Sequence, residues 1–177
     1  MDKFDEAVDE AVIQEGKFKS LATATMLGLG AMGTPDVQAE PNQNPPIVNV
    51  AQMSDTDLLA TTLYKECRGE SKKGQEMVLS VIINRMKRKN ESVRDVVLKK
   101  KQFSCWNASH DIDRGFMIDD PQFREFRHMS AKALAGRFEP LGDWDHYYAH
   151  NTCSPDWADS LENVTVEGEH TFGKGYN

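Results

Sequence analysis

Apolar residues recur every three or four positions in some stretches of the chain and alternate in others, and these two periods outline the expected elements. The strongest helical pattern runs from Lys72 to Lys89, where Val78, Leu79, Ile82, Ile83 and Met86 mark a buried core helix, with Asn84 and Arg85 turned outward. Before it, Ser54 opens SDTD, a capping serine with an acid three residues on. The helix predicted from there runs through LLATTLYKE until Gly69 breaks it, leaving Glu66, Arg68 and Glu70 at or just past its end. Ser92 to Lys101 reads as a short helix, and Pro121 to Leu134 as a longer one closed at Gly136. After Gly142 the period changes. Trp144, His146, Tyr147 and Tyr148 form an aromatic, strand-like run, and Asn163 to Phe172 alternates like a second strand with a turn at Gly168.

The leading residues differ from the rest. Phe4, Val8, Ala11 and Val12 have the spacing of an amphipathic helix, Ser20 to Gly33 is apolar and small, and Thr34 to Asn49 (TPDVQAEPNQNPPIVN) reads as a linker, because Pro, Asn and Gln disfavour helix and ladder alike. The pattern predicts an α+β chain, helices first and a small sheet last, with residues 1–50 as an N-terminal segment and 51–177 as the folded domain. No internal repeat of about 20 to 50 residues is present, which excludes solenoids and propellers.

Composition agrees with one modest domain and an appendage: 177 residues, 39% hydrophobic and 28% charged. A net charge of −7 argues against a general nucleic-acid binder. The charge is unevenly spread. Residues 1–50 hold 8 acids and 3 bases, Arg85 to Lys101 holds 8 bases and 2 acids, and Phe138 to Glu169 holds 8 acids and no Lys or Arg. The basic stretch reads as a solvated helical face or as a surface attracted to an anionic polymer such as a wall glycan. No run approaches the roughly 20 apolar residues of a membrane-spanning helix. Ser20 to Gly33, with Lys17 and Lys19 before it, is either an export signal behind an unusually long acidic lead or a docking segment.

Three groups of residues carry candidate chemistry. Glu66, Arg68 and Glu70 meet at a helix end, where a carboxyl half-buried against aromatics can act as a general acid; solvent-exposed helix-end charges are the alternative. Phe103 to Trp106 (FSCW), Trp144, Tyr147, Tyr148, Trp157, Phe172 and Tyr176 supply faces that stack on sugar rings or fill a core. The histidines His146, His150 and His170 allow a zinc reading, but Tyr147 stands where an HExxH motif needs glutamate. Cys105 with His170 allows a thiol peptidase, although the cysteine lacks a glycine-rich turn. Three cysteines, Cys67, Cys105 and Cys153, permit at most one internal disulfide.

Taken together, YKECRGESKKGQEMVLSVIINRMK, FSCW, AKALAGRFEP, YYAHNTCSPDWA and GEHTF resemble, in order, the motifs of the SleB/CwlJ-like cell-wall hydrolases, spore cortex-lytic enzymes and their phage relatives. The resemblance covers residues 54 to 173 and implies a small lysozyme-like helical part. It also implies cleavage of peptidoglycan between N-acetylmuramic acid and N-acetylglucosamine, by a muramidase or a lytic transglycosylase, with no metal or other cofactor. By motif position the catalytic glutamate is Glu66, with Glu70 as fallback. Arg68, Gln75, Asn84, Trp106, Tyr148 and His170 fall around the cleft or its support, and Tyr147 and Trp157 join them from the aromatic group. Cys67 and Gly173 depart from the family pattern, which usually has a small residue and a tyrosine there. The expected partner is the glycan strand, met at the bacterial wall or periplasm. The N-terminal segment suits virion or membrane docking in a phage-borne or exported enzyme better than sporulation. The rivals are a cysteine endopeptidase of wall peptides and a glycan-binding virion module without turnover.

Overall fold

The computed structural model describes residues 47–107, 111–113 and 115–175. The expected N-terminal helix, the apolar stretch, most of the linker and Tyr176 lie outside the described residues. Helix α1 spans Asp55–Cys67, and Ser54 caps it by accepting the Asp57 N–H at 3.1 Å, as the SDTD pattern requires. Helix α2 spans Lys72–Lys89, with Ser71 as its cap and Asn90, at φ 50°, as its left-handed stop. Helix α3 is Val93–Val97, a single capped turn shorter than the helix expected through Lys101. A 3-10 turn at Ser104–Trp106 and a short helix α4, Gly115–Ile118, lead to α5, Pro121–Leu134. Asp120 caps α5, and Gly136, at φ +73°, follows its end.

The first strand was not legible in the sequence. Ile47–Asn49 (β1), at the end of the segment expected to be a linker, pairs antiparallel with Asp111–Asp113 (β2). Val50, just after it, is buried in the core. The C-terminal sheet is antiparallel, with His146–Ala149 (β3) and Glu162–Glu167 (β4) flanking the central His170–Lys174 (β5). The alternating run with its expected turn at Gly168 is a hairpin, β4 and β5, turned at that glycine, whose φ of +56° suits it.

The core lies where α1 packs on α5 and α2. Leu58, Leu59, Leu63, Val78, Leu79 and Ile82 are fully buried, and Tyr64 meets Phe123 and Phe126 edge-on at 5.7 and 6.2 Å. Asp57 and Arg127 form an ion pair of 2.8 Å between α1 and α5. Phe172 of β5 is fully buried, which fastens the sheet to the helices.

Asn84 and Arg85 do not turn outward. The Asn84 amide donates to the carbonyls of Gly142 and Trp144, both at 2.8 Å, and Arg85 Nε donates to the Asp145 carbonyl at 2.6 Å. Their places on the helix mark them as polar, but a loop about 60 residues on covers them. These bonds hold the approach to β3 on α2 and so set the height of Tyr147. Arg94 likewise is not merely solvated: it pairs with Asp55 at 2.9 Å and donates to the carbonyls of Val50 and Met53.

Candidate active site

Glu66 occupies the last turn of α1, half-buried, and both its carboxyl oxygens are met by donors from distant segments. Ser104 Oγ and the Cys105 backbone N–H each reach Oε1 at 3.3 Å, and the Tyr147 hydroxyl reaches Oε2 at 3.2 Å. These are long hydrogen bonds, which orient the carboxyl without gripping it. The 3-10 turn is fixed because Phe103, just before it, and Trp106, its last residue, are buried. The Trp106 indole N–H also donates to Thr62 Oγ1 at 3.0 Å. Thr62 and Glu66 are four residues apart, so both attachments of this turn lie on one stripe of α1.

Tyr147 comes from the middle of β3. Its ring stacks on Phe172 (5.8 Å between centroids, 26° between planes) and meets His170 edge-on at 5.3 Å. Burial, with the negative charge of Glu66 behind it, pushes the phenol well above its ordinary range, so the hydroxyl keeps its proton and donates. Arg85 lies over the Phe103 ring at 5.7 Å, and burial lowers its pKa while Tyr147 and Asp145 oppose that.

Glu70 has different neighbours. It lies 3.1 Å from His170 Nδ1, the two side chains only 9% and 10% exposed, and Oε1 accepts the Glu169 N–H at 3.4 Å. Gly168 passes so close that a Cβ there would stand 1.8 Å from Glu70 Oε2. The Gln75 amide donates to the Glu70 carbonyl at 3.0 Å, and Ser71 and Lys73 both hold Glu167 at 2.9 Å. The junction between α1 and α2 thus clasps the tip of the hairpin, with Glu70 inside the clasp.

The remaining sequence candidates are scattered. Arg68 is exposed, with its guanidinium 5.3 Å over Tyr64 on the side toward α5. Asn84 braces the loop before β3. Trp106 is 5% exposed and its N–H is taken by Thr62, so it presents no open face for a sugar. Tyr148 follows Tyr147 and therefore points to the opposite face of the sheet. There it meets Trp157 edge-on at 5.6 Å, beside His146 at 5.1 Å from the same indole. Trp157 is 38% exposed.

The histidines do not converge: His146 Nδ1 contacts Asp145 at 2.8 Å, His150 contacts Thr171 at 3.2 Å, and His170 contacts Glu70. Among the described residues no group of three or more His, Cys, Asp or Glu is placed to hold a metal ion. The Cys105 thiol is pushed far up by burial and by Glu66, which suppresses the thiolate that a peptidase would need. Ser104, the Cys105 amide and Arg85 were not foreseen at this site. The signal for Ser104 was its place in FSCW, a small hydroxyl between residues that must be buried.

A profile of the Cell Wall Hydrolase family matches residues 69–173, more than half of the chain. The chain belongs to the cell wall hydrolase family. The chain is also 27% identical over 140 residues to a spore cortex-lytic enzyme of Oceanobacillus iheyensis. That match covers 73% of this chain and 46% of the relative, so the chain spans about half the length of that protein. The fold is that of the catalytic domain of SleB, described as a germination-specific lytic transglycosylase, from Bacillus anthracis. The TM-score is 0.54 at 21% identity, over 70% of this chain and 98% of that one. The catalytic domain of Bacillus cereus SleB aligns with a TM-score of 0.50 at 23% identity, over 76% and 98% of the two chains.

Proposed function

We propose that this cell wall hydrolase cuts the peptidoglycan strand between N-acetylmuramic acid and N-acetylglucosamine, with Glu66 as sole acid and base and with release of a 1,6-anhydro sugar. The observation that carries this reading is the contrast between the two glutamates. Glu66 is half-buried and loosely held, whereas Glu70 is enclosed by His170, Gly168 and the Glu169 amide. A glycosidase with two carboxylates needs a second acid free to face the sugar or a water. A transglycosylase does not. Glu66 protonates the leaving glycosidic oxygen as the bond to the anomeric carbon breaks; its carboxylate then takes the proton of the 6-hydroxyl of the same sugar, whose oxygen closes on that carbon. Tyr147, Ser104 and the Cys105 amide keep the carboxyl aimed through both steps.

Mass spectrometry of sacculi digested by the full chain tests this. Anhydro-muropeptides, lighter by one water than reducing-end products, are expected from the native enzyme, and about 10²–10⁴-fold more slowly from Glu66→Gln. Reducing ends would instead assign a muramidase, and peptide-cleaved products or undiminished activity in Glu66→Gln would overturn the reading. Virion or membrane docking through the N-terminal segment, residues 1–50, is a separate proposal, tested by mass spectrometry of purified particles and membranes.

A further inference from the structure

A cleft of about 190 Å³ is lined by Arg85, Arg88, Lys89, Lys99, Gln102, Asp145 and His146. Its one acid is already committed. The Asp145 carboxylate is buried and engaged by Arg88, by His146 Nδ1 at 2.8 Å and by the Gly175 N–H at 2.7 Å. The cations are less satisfied. Arg85 spends Nε on the Asp145 carbonyl, while its Nη1 is buried with no hydrogen-bond partner. Lys89 and Lys99 are exposed, and among the described residues neither has an acid against it. A concave site with surplus positive charge and an orphaned guanidinium donor is matched by an oxyanion.

Its position narrows the choice. The Phe103 ring has Arg85 on it, and the next two residues, Ser104 and Cys105, donate to Glu66. Arg85 thus links the cleft, through the Phe103 ring, to the turn that holds the Glu66 carboxyl. In peptidoglycan the stem peptide hangs from the muramoyl sugar whose anomeric carbon reacts, and it carries free carboxylates. We infer that this cleft is a subsite for a stem-peptide carboxylate, held by Arg85 from below and by Lys89 and Lys99 at the rim. The inference rests on the glycan-cleaving reading above and extends it: the enzyme selects strands that bear peptides.

The test uses Lys89→Glu/Lys99→Glu, two exposed positions whose exchange leaves the core untouched, and two kinds of readout. In the first, the full chain is titrated with a soluble muramyl peptide and with the same ligand after its carboxylates are amidated. The native chain is expected to bind the acidic form about tenfold or more tightly than the amidated one and to lose that preference in the double variant. This readout needs no turnover, so it separates failure of the subsite from failure of the catalytic reading. In the second, KM is compared on glycan strands with and without their peptides. The double variant is expected to raise KM on peptide-bearing strands, with kcat retained, and to leave KM on denuded strands unchanged. Equal binding of acidic and amidated ligands would overturn the inference. So would a lower KM on peptide-bearing strands that disappears when wall phosphate is stripped from those strands with hydrofluoric acid, which would assign the cleft to a phosphodiester polymer.

Discussion

The hydroxyl of Tyr147 lies 3.2 Å from Oε2 of Glu66, joining the middle of a C-terminal strand to the last turn of the first helix. The phenol is held protonated by burial and by that carboxyl, so it serves as a fixed donor. Tyr147→Phe keeps the ring stacked on Phe172 and removes only the hydrogen bond. Turnover on peptidoglycan is expected to fall about tenfold, equivalent to about 1.4 kcal/mol, with the melting temperature little changed. A fall as large as that of Glu66→Gln would instead make the phenol itself the proton donor.

The two glutamates should separate in both activity and stability. Glu66→Gln is expected to lower turnover by about 10²–10⁴-fold while the fold holds. Glu70→Gln leaves a carboxamide against His170 and the Glu169 N–H, and is expected to lower unfolding free energy by about 1–3 kcal/mol with measurable turnover retained. Paired urea titrations and muropeptide assays check both. The opposite pattern would move the acid to Glu70.

Alkaline conditions should weaken the fold around this site. Cys67 and Cys105 both have thiols pushed up from an ordinary value of 9.0, chiefly by burial and then by Glu66. The folded chain therefore keeps protons that the unfolded chain releases, and stability falls as pH rises above the unfolded value. Each thiol contributes a slope of about 1.4 kcal/mol per pH unit beyond roughly pH 9. Urea midpoints are expected to be insensitive to these thiols below that pH and to decline above it, with a shallower decline in Cys67→Ala/Cys105→Ala. At pH 8, iodoacetamide should label the exposed Cys153 and leave activity intact.

Asn84→Ala tests the bracing of β3. It removes two bonds of 2.8 Å to the carbonyls of Gly142 and Trp144 and is expected to cost about 2 kcal/mol, read by urea unfolding. Because this loop sets the height of Tyr147, turnover should fall as well.

The limits of α2 and α5 were readable because local signals agree: sustained periodicity in one, and in the other a proline behind a capping aspartate with Gly136 beyond. That Glu66 falls at the end of α1 was legible from the helical pattern that stops near Gly69. What pattern alone missed were relationships set by distant chain. Asn84 and Arg85 look solvated until the loop from Gly142 to Asp145 covers them. Ile47–Asn49 is a strand only because Asp111–Asp113 pairs with it, across a composition that discourages strands. Ser104 becomes a partner of Glu66 only because Phe103 and Trp106 pin its turn to α1.

The three donors that surround Glu66 lie 38, 39 and 81 residues further along the chain. Local helix formation can therefore precede any working site, since contacts of such separation close late in folding. Recovery of glycan cleavage during refolding should lag behind the return of helical circular dichroism, and the lag would time the docking of the sheet onto the helices.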